Sequence, residues 1–177
     1  MSSAEKKYSN RIYIWLLIGA AVLVLFDQLI KHLAVIYLKG SPSFVLIPGV
    51  LELQYLENAG AAWGILQGKQ FIFTIITVVF MIFAIIFIVK LPKTRKFLPL
   101  LIALIVLCSG ALGNFYDRLV HKYVVDFIYF SIIDFPIFNV ADIYVTLSVI
   151  AIIIMVLFRY KDNDFDFLKK KKAEENA

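Results

Sequence analysis

The chain has 177 residues, is 62% hydrophobic, has a mean hydropathy of +0.86 and carries a formal net charge of +5. A soluble domain is nearer half apolar, and here the excess lies in long blocks, which points to an integral membrane protein. The positive charges sit in loops and tails without interleaved aromatic residues, so no nucleic-acid partner is expected.

Lys6, Lys7 and Arg11 precede an apolar run from Ile12. The run outlasts a cleavable leader and no small-x-small site follows it, so it reads as a retained first span, Ile12–Leu38, interrupted by Asp27, Gln28, Lys31 and His32. Next comes "SPSFVLIPGVLELQYLENAG". Pro48-Gly49 marks a turn, and Leu51, Leu53 and Tyr55 alternate with Glu52 and Gln54 at strand period. Span 2, Phe71–Val89, is uncharged. Span 3 covers Phe97–Gly113 and holds the lone Cys108, read as a small packed hydrophobe. "YVVDFIYFSII" at 123–133 is β-branched and aromatic, another strand signal. Span 4, Val140–Phe158, has Asp142 near its start. The tail from Asp162 is charged and is expected to be solvated or disordered. Its "DNDFD" lacks the glycine and distal glutamate of a calcium loop, and no metal site is expected.

The expected fold is an all-α integral membrane protein: four transmembrane helices with a small extracytoplasmic β-sheet lying on the outer leaflet. Residues 1–160 form one domain, with outer segments at about 39–70 and 114–139, and residues 161–177 form a charged cytoplasmic tail. Lys and Arg cluster before span 1, between spans 2 and 3 (Lys90, Lys93, Arg95, Lys96) and after span 4, which places both termini in the cytoplasm.

Spans 1 and 3 then run outward and span 4 inward. Asp27 and Lys31 fall in the outer half of span 1. Asn114, Asp117 and Arg118 fall at the outer end of span 3, and Asn139 and Asp142 at the outer start of span 4. Asp126 lies in the segment joining the last two. Polar groups at one depth in a membrane mark function or hold helices together. Asp27 and Lys31, one turn apart, can be an ion pair that fixes span 1. Asp117 and Arg118 can brace the outer segment, and Asn58, Asn114 and Asn139 are good turn and cap residues. Asp142 suits a helix N-terminus. Asp126 fits least well as scaffold, because aspartate is disfavoured in an apolar strand.

His32 and His121 are far apart in sequence, so no metal set is visible. Ser109 has no nearby base and reads as a small residue that permits close helix packing. Paired carboxylates remain. Two that share a site titrate as a unit; one keeps a proton while the other can activate water.

"DQLIK" (27–31), "ENAGAAWG" (57–64), "GALGNFYDRL" (110–119), "VVDF" (124–127) and "FNVAD" (138–142) together resemble the bacterial lipoprotein signal peptidases, or type II signal peptidases. The resemblance implies a multi-pass aspartyl endopeptidase of the bacterial cytoplasmic membrane. Its substrates are diacylglyceryl-modified prolipoproteins, cut N-terminal to the lipidated cysteine, and they enter laterally from membrane lipid. It implies Asp126 and Asp142 as the catalytic pair. Asp27, Lys31, Asn58, Asn114, Asp117, Arg118 and Asn139 carry over as the supporting and substrate-binding set. No cofactor is implied, and a monomer is expected. Ser109 stands where the family often has glycine, and Ile143 where a smaller residue is expected at the pocket wall. A proton-coupled transporter is the competing class, opposed by carboxylates gathered at one interface and by the lack of an internal repeat. A non-catalytic assembly protein is a third, in which the same carboxylates only pin helices.

Overall fold

Each apolar run folds as one helix in the computed structural model, which describes residues 7–60 and 70–168. Lys6, positions 61–64 of the second motif and the tail from 169 lie outside the described residues. The helices are α1 (Arg11–Leu38), α2 (Gln70–Lys90), α3 (Leu98–Val120) and α4 (Val140–Phe158), all long and apolar enough to cross a membrane. With 28 residues, α1 is about 42 Å long, more than the ~30 Å of hydrocarbon it must cross. Large apolar side chains of α1, α2 and α4 point outward, among them Trp15, Phe83 and Leu157. Only α3 is packed along much of its length, through Leu100, Leu101, Leu104 and Leu107. It is the central helix, against which α1, α2 and α4 rest.

Two glycines of α3 lie hard against neighbouring elements. A Cβ at Gly110 would lie 2.5 Å from the Ala141 carbonyl oxygen, and one at Gly113 would lie 2.6 Å from Asp27 Oδ2. Ser109, read from sequence as the packing residue, is buried, and its hydroxyl donates to the Ile105 carbonyl at 2.8 Å. Helix α3 also continues through Val120 instead of ending at Gly113, so Asn114, Asp117 and Arg118 are helical. Hydropathy marked only the apolar part. The polar last turns are stable because their side chains find partners on other elements.

The α1–α2 and α3–α4 connections form a three-stranded antiparallel sheet in the order β1-β2-β3: β1 (Phe44–Ile47), β2 (Leu51–Asn58) and β3 (Val124–Tyr129). The β1–β2 turn closes with Val50 N–H donating to Ile47 O at 3.0 Å, and Gly49 takes φ +69, where a side chain would be strained. Strand β3 is shorter than its β-rich run. The chain turns at Phe130, forms a 3-10 turn over Ser131–Ile133, and returns so that Phe138 and Ile128 exchange backbone hydrogen bonds at 2.8 and 3.0 Å. Leu53, Tyr55, Val125 and Phe127 pack the sheet against Ala34 on α1.

At the other end of the bundle, Leu91, Phe97, Leu100, Leu101, Leu104 and Tyr160 form a core. Tyr8 N–H donates to Lys93 O there, so the N-terminal segment and the basic α2–α3 loop share one end. The first part of the charged tail takes up secondary structure and rests partly on the bundle, while most of its residues stay exposed. Asp162–Leu168 is a short 3-10 helix whose Phe165 and Phe167 rings lie against Phe97, while Lys96 Nζ bonds Asp164 Oδ1 at 2.5 Å. Two phenylalanines among the acids supply apolar surface that is better buried than hydrated.

Candidate active site

On α1, Asp27 and Lys31 are one turn apart and buried. Lys31 Nζ reaches Asp27 Oδ2 at 2.9 Å, Asp117 Oδ2 at 2.9 Å and Asn114 Oδ1 at 2.8 Å. Its three N–H groups thus meet three acceptors, which a buried ammonium requires. Asp27 Oδ1 accepts from Ala141 N–H at 2.9 Å, tying α1 to the first turn of α4. Asp117 Oδ1 accepts from Gln28 Nε2 at 2.8 Å, and its Oδ2 also accepts from Val125 N–H of β3 at 3.3 Å. This hub joins α1, α3, α4 and β3.

Above it lies an amide layer. Asn114 Oδ1 accepts from both Lys31 and Asn139 Nδ2, the latter at 3.1 Å, and Asn114 Nδ2 donates to Asp142 Oδ1 at 2.8 Å. Asn139 caps α4: its Oδ1 accepts from Asp142 N–H, and Asp142 Oδ2 accepts from Asn139 N–H, both at 3.1 Å. This is a capping box, with aspartate in the usual place of glutamate, and it explains why α4 starts where it does. The same Asn139 donates from Nδ2 to Asp126 Oδ1 at 2.6 Å. Asn58, the last residue of β2, donates to Asp126 Oδ2 at 2.8 Å, and its own Oδ1 accepts from Gly60 N–H. Both oxygens of Asp126 are therefore held by neutral amides, and among the described residues no ion pair includes it. Burial, then the nearby charge of Asp142, pushes its pKa up to about 7, against the Asn58 and Asn139 hydrogen bonds and the charge of Lys31.

Asp126 and Asp142 line one cavity of about 570 Å³. Asn58, Asn114, Arg118 and Thr146 add polar groups, and the rest of the lining is mostly apolar, with Phe130, Ile133 and Phe135 to Phe138 from the β3–α4 connection and Ile143 and Leu147 from α4. The Arg118 guanidinium lies 5.2 Å from the centre of the Phe73 ring on α2, and its buried Nε has no hydrogen-bond partner among the described residues. Water held between two carboxylates in such a space would meet a base and a hydrogen-bond donor at once.

All nine residues picked from sequence converge. Asp126, Asp142, Asn58, Asn114 and Arg118 face the cavity. Asn139 joins the two aspartates from behind, and Asp27, Lys31 and Asp117 form the supporting hub. Ile143 does line the wall, as its place beside Asp142 suggests. The sequence reading missed Gln28 and the wall formed by 130–138. Gln28 had a signal, since an amide within an apolar span must find partners. The wall had none, because its residues are ordinary apolar loop residues.

Four membrane-length helices, a small sheet at one end and two carboxylates on a mostly apolar cavity define a multi-pass membrane protein with a two-aspartate site. Residues 19–158 match the family described as signal peptidase (SPase) II, and the chain belongs to that family of proteases. It is similar to the lipoprotein signal peptidase of Staphylococcus epidermidis, 48% identical over 86% of this chain and 93% of that one. The corresponding figures for the lipoprotein signal peptidase of Latilactobacillus sakei are 38%, 84% and 96%. A bacterial membrane enzyme solved by the in meso method at 2.3 Å resolution is 39% identical with a TM-score of 0.73, covering 96% of this chain and 98% of that chain.

Proposed function

We propose that the chain is an aspartyl endopeptidase that removes the signal peptide from diacylglyceryl-modified prolipoproteins, cutting N-terminal to the lipidated cysteine. Its membership of the signal peptidase II family supports the reaction and the substrate class. The observation that carries the mechanism is Asn139, which bonds Asp126 through its side chain and Asp142 through its backbone N–H and its cap.

Asp126 and Asp142 share one proton. The ionised member takes a proton from water as the water oxygen adds to the scissile carbonyl carbon, and the protonated member hydrogen-bonds the carbonyl oxygen as it gains charge. The tetrahedral adduct collapses when the leaving nitrogen takes a proton from the pair and the C–N bond breaks. The products are the signal peptide carboxylate and a free amine on the modified cysteine. The two titrate as a unit, and no separate role is assigned to either. Asn58 and Arg118 hold substrate backbone, and Asn114 holds Asp142. Asp27, Lys31 and Asp117 keep α1, α3 and α4 in register.

The reading extends to a monomer that takes its substrate laterally from the lipid of the bacterial cytoplasmic membrane. Both termini are cytoplasmic, and the domain of residues 1–160 needs no cofactor. The shared end of the N-terminal segment and the basic α2–α3 loop supports that orientation. The test is cleavage of a diacylglyceryl-modified prolipoprotein by Asp126→Asn and Asp142→Asn. Each should lose all measurable cleavage while remaining in the membrane at wild-type level; retained cleavage by either sinks the dyad.

A further inference from the structure

Among the described residues, helix α2 rests on α3 and lines no part of the cavity. It meets the site through Phe73, a half-buried residue in its first turn. The Arg118 guanidinium lies 5.2 Å from the centre of that ring. An aromatic face attracts a cation within about 6 Å, so the two side chains are coupled.

Arg118 lines the cavity together with Asp126 and Asp142, and the charges of Asp142, Asp126 and Asp117 all attract it. A cation beside two carboxylates in a mostly apolar space would ordinarily pair with one of them. Among the described residues, however, Arg118 makes no ion pair. Its Nη1 donates to the Asn114 carbonyl oxygen of its own helix at 3.4 Å, a long bond, and its buried Nε has no partner. Most of its N–H groups are thus unused, which is costly for a buried group until an acceptor arrives.

The Phe73 ring accounts for this state. It attracts the guanidinium through its quadrupole but offers no lone pair, so it holds the charge without engaging the N–H groups as a carboxylate would. Leucine in its place would fill similar space and exert no such pull. Arg118 would then be drawn to Asp126 or Asp142. There it would occupy space that water needs and neutralise a carboxylate that must act as base. A peptide stretched across the cavity supplies the missing acceptors, because its backbone carbonyls have left their helical partners.

We propose that Phe73 is a positioning residue for the cleavage reaction: its ring holds the Arg118 guanidinium off the Asp126–Asp142 pair, with its N–H groups open to backbone carbonyls of the signal peptide. The inference deepens the peptidase reading and rests on it. It gives α2 a part in the chemistry that the cavity lining alone does not show.

The test uses the full chain in membranes and a diacylglyceryl-modified prolipoprotein. Phe73 is replaced in turn by mono-, di- and trifluorophenylalanine, which withdraw charge from the ring face stepwise while nearly keeping its shape. A ring that only packs would be indifferent to the series. Here kcat/KM should decline with each added fluorine, by about tenfold at the last step, and Phe73→Leu should fall at least as far. The same replacements at Phe83, exposed on the outward face of α2, should leave cleavage at the wild-type rate. A flat series at 73 overturns the inference, and so does an equal decline at 83, which would be a general effect of fluorine. Either result with an active parent chain leaves the peptidase reading standing. A parent chain that cannot cleave the prolipoprotein removes that reading and this inference together.

Discussion

Asn139 Nδ2 donates to Asp126 Oδ1 at 2.6 Å, so the residue that starts α4 also holds the carboxylate of β3. The two roles can be parted. Asn139→Ser keeps a good N-cap but is too short to reach Asp126. A hydrogen bond to a charged group contributes about 1.5–3 kcal/mol, so kcat/KM should fall roughly 10–100-fold while the melting temperature stays near wild type. Asn139→Leu should lower both. Parallel prolipoprotein cleavage and thermal unfolding measure the split. Wild-type cleavage by the serine variant would show that the contact is idle.

Asp126 titrates near neutrality, with its pKa pushed up to about 7 by burial and by Asp142. A dyad that needs one shared proton loses activity as that proton leaves, so kcat/KM should decline above about pH 7. Stability should follow the same group. The folded chain binds this proton more tightly than the unfolded chain, whose aspartate titrates near ~3.9. Between those values folding is favoured by low pH, and stability falls as pH rises towards 7. In Asp126→Asn that slope of melting temperature against pH should shrink. An unchanged slope would place the titration elsewhere.

Lys31 serves Asp27, Asp117 and Asn114 at once. Lys31→Met leaves two buried carboxylates without their cation, a cost of about 3–5 kcal/mol, so little folded protein should accumulate in membranes. Adding Asp27→Asn and Asp117→Asn should restore part of that yield. Asp27→Asn alone should reduce folded yield more than it reduces turnover of the protein that does fold, because Asp27 lies beneath the cavity and does not line it. Quantitative blotting with activity per folded molecule tests both statements.

Gly113 admits Asp27 beside α3, and Gly110 admits the Ala141 carbonyl. The methyl of Gly113→Ala meets a carboxylate oxygen, which can move only by disturbing the Lys31 ion pair. That of Gly110→Ala meets backbone at the first turn of α4. Each should destabilise by about 1–3 kcal/mol, seen as a lower melting temperature in detergent. Gly19, with nothing near its Cβ position, is the control, and Gly19→Ala should be neutral.

The amino-acid sequence by itself determined the four helices, because lipid admits a single chain segment only as a long apolar helix and such runs are read directly. It also determined which polar residues would share one end of the bundle, since spans of alternating direction bring Asp27, Asn114 and Asp142 to a common depth. The short sheet was visible from the alternation in 51–55 and the β-branched and aromatic run at 123–133, though not where its last strand ends. The tertiary structure alone decided that α3 runs on to Val120, that the tail folds back on Phe97, and that residues 130–138 wall the cavity. It alone decided the bonding as well, as when Ala141 N–H finds Asp27 across 114 positions. The reason is physical: hydropathy is a property of each segment and its solvent, whereas a hydrogen bond between distant residues depends on where packing on α3 brings them, and no local period records that.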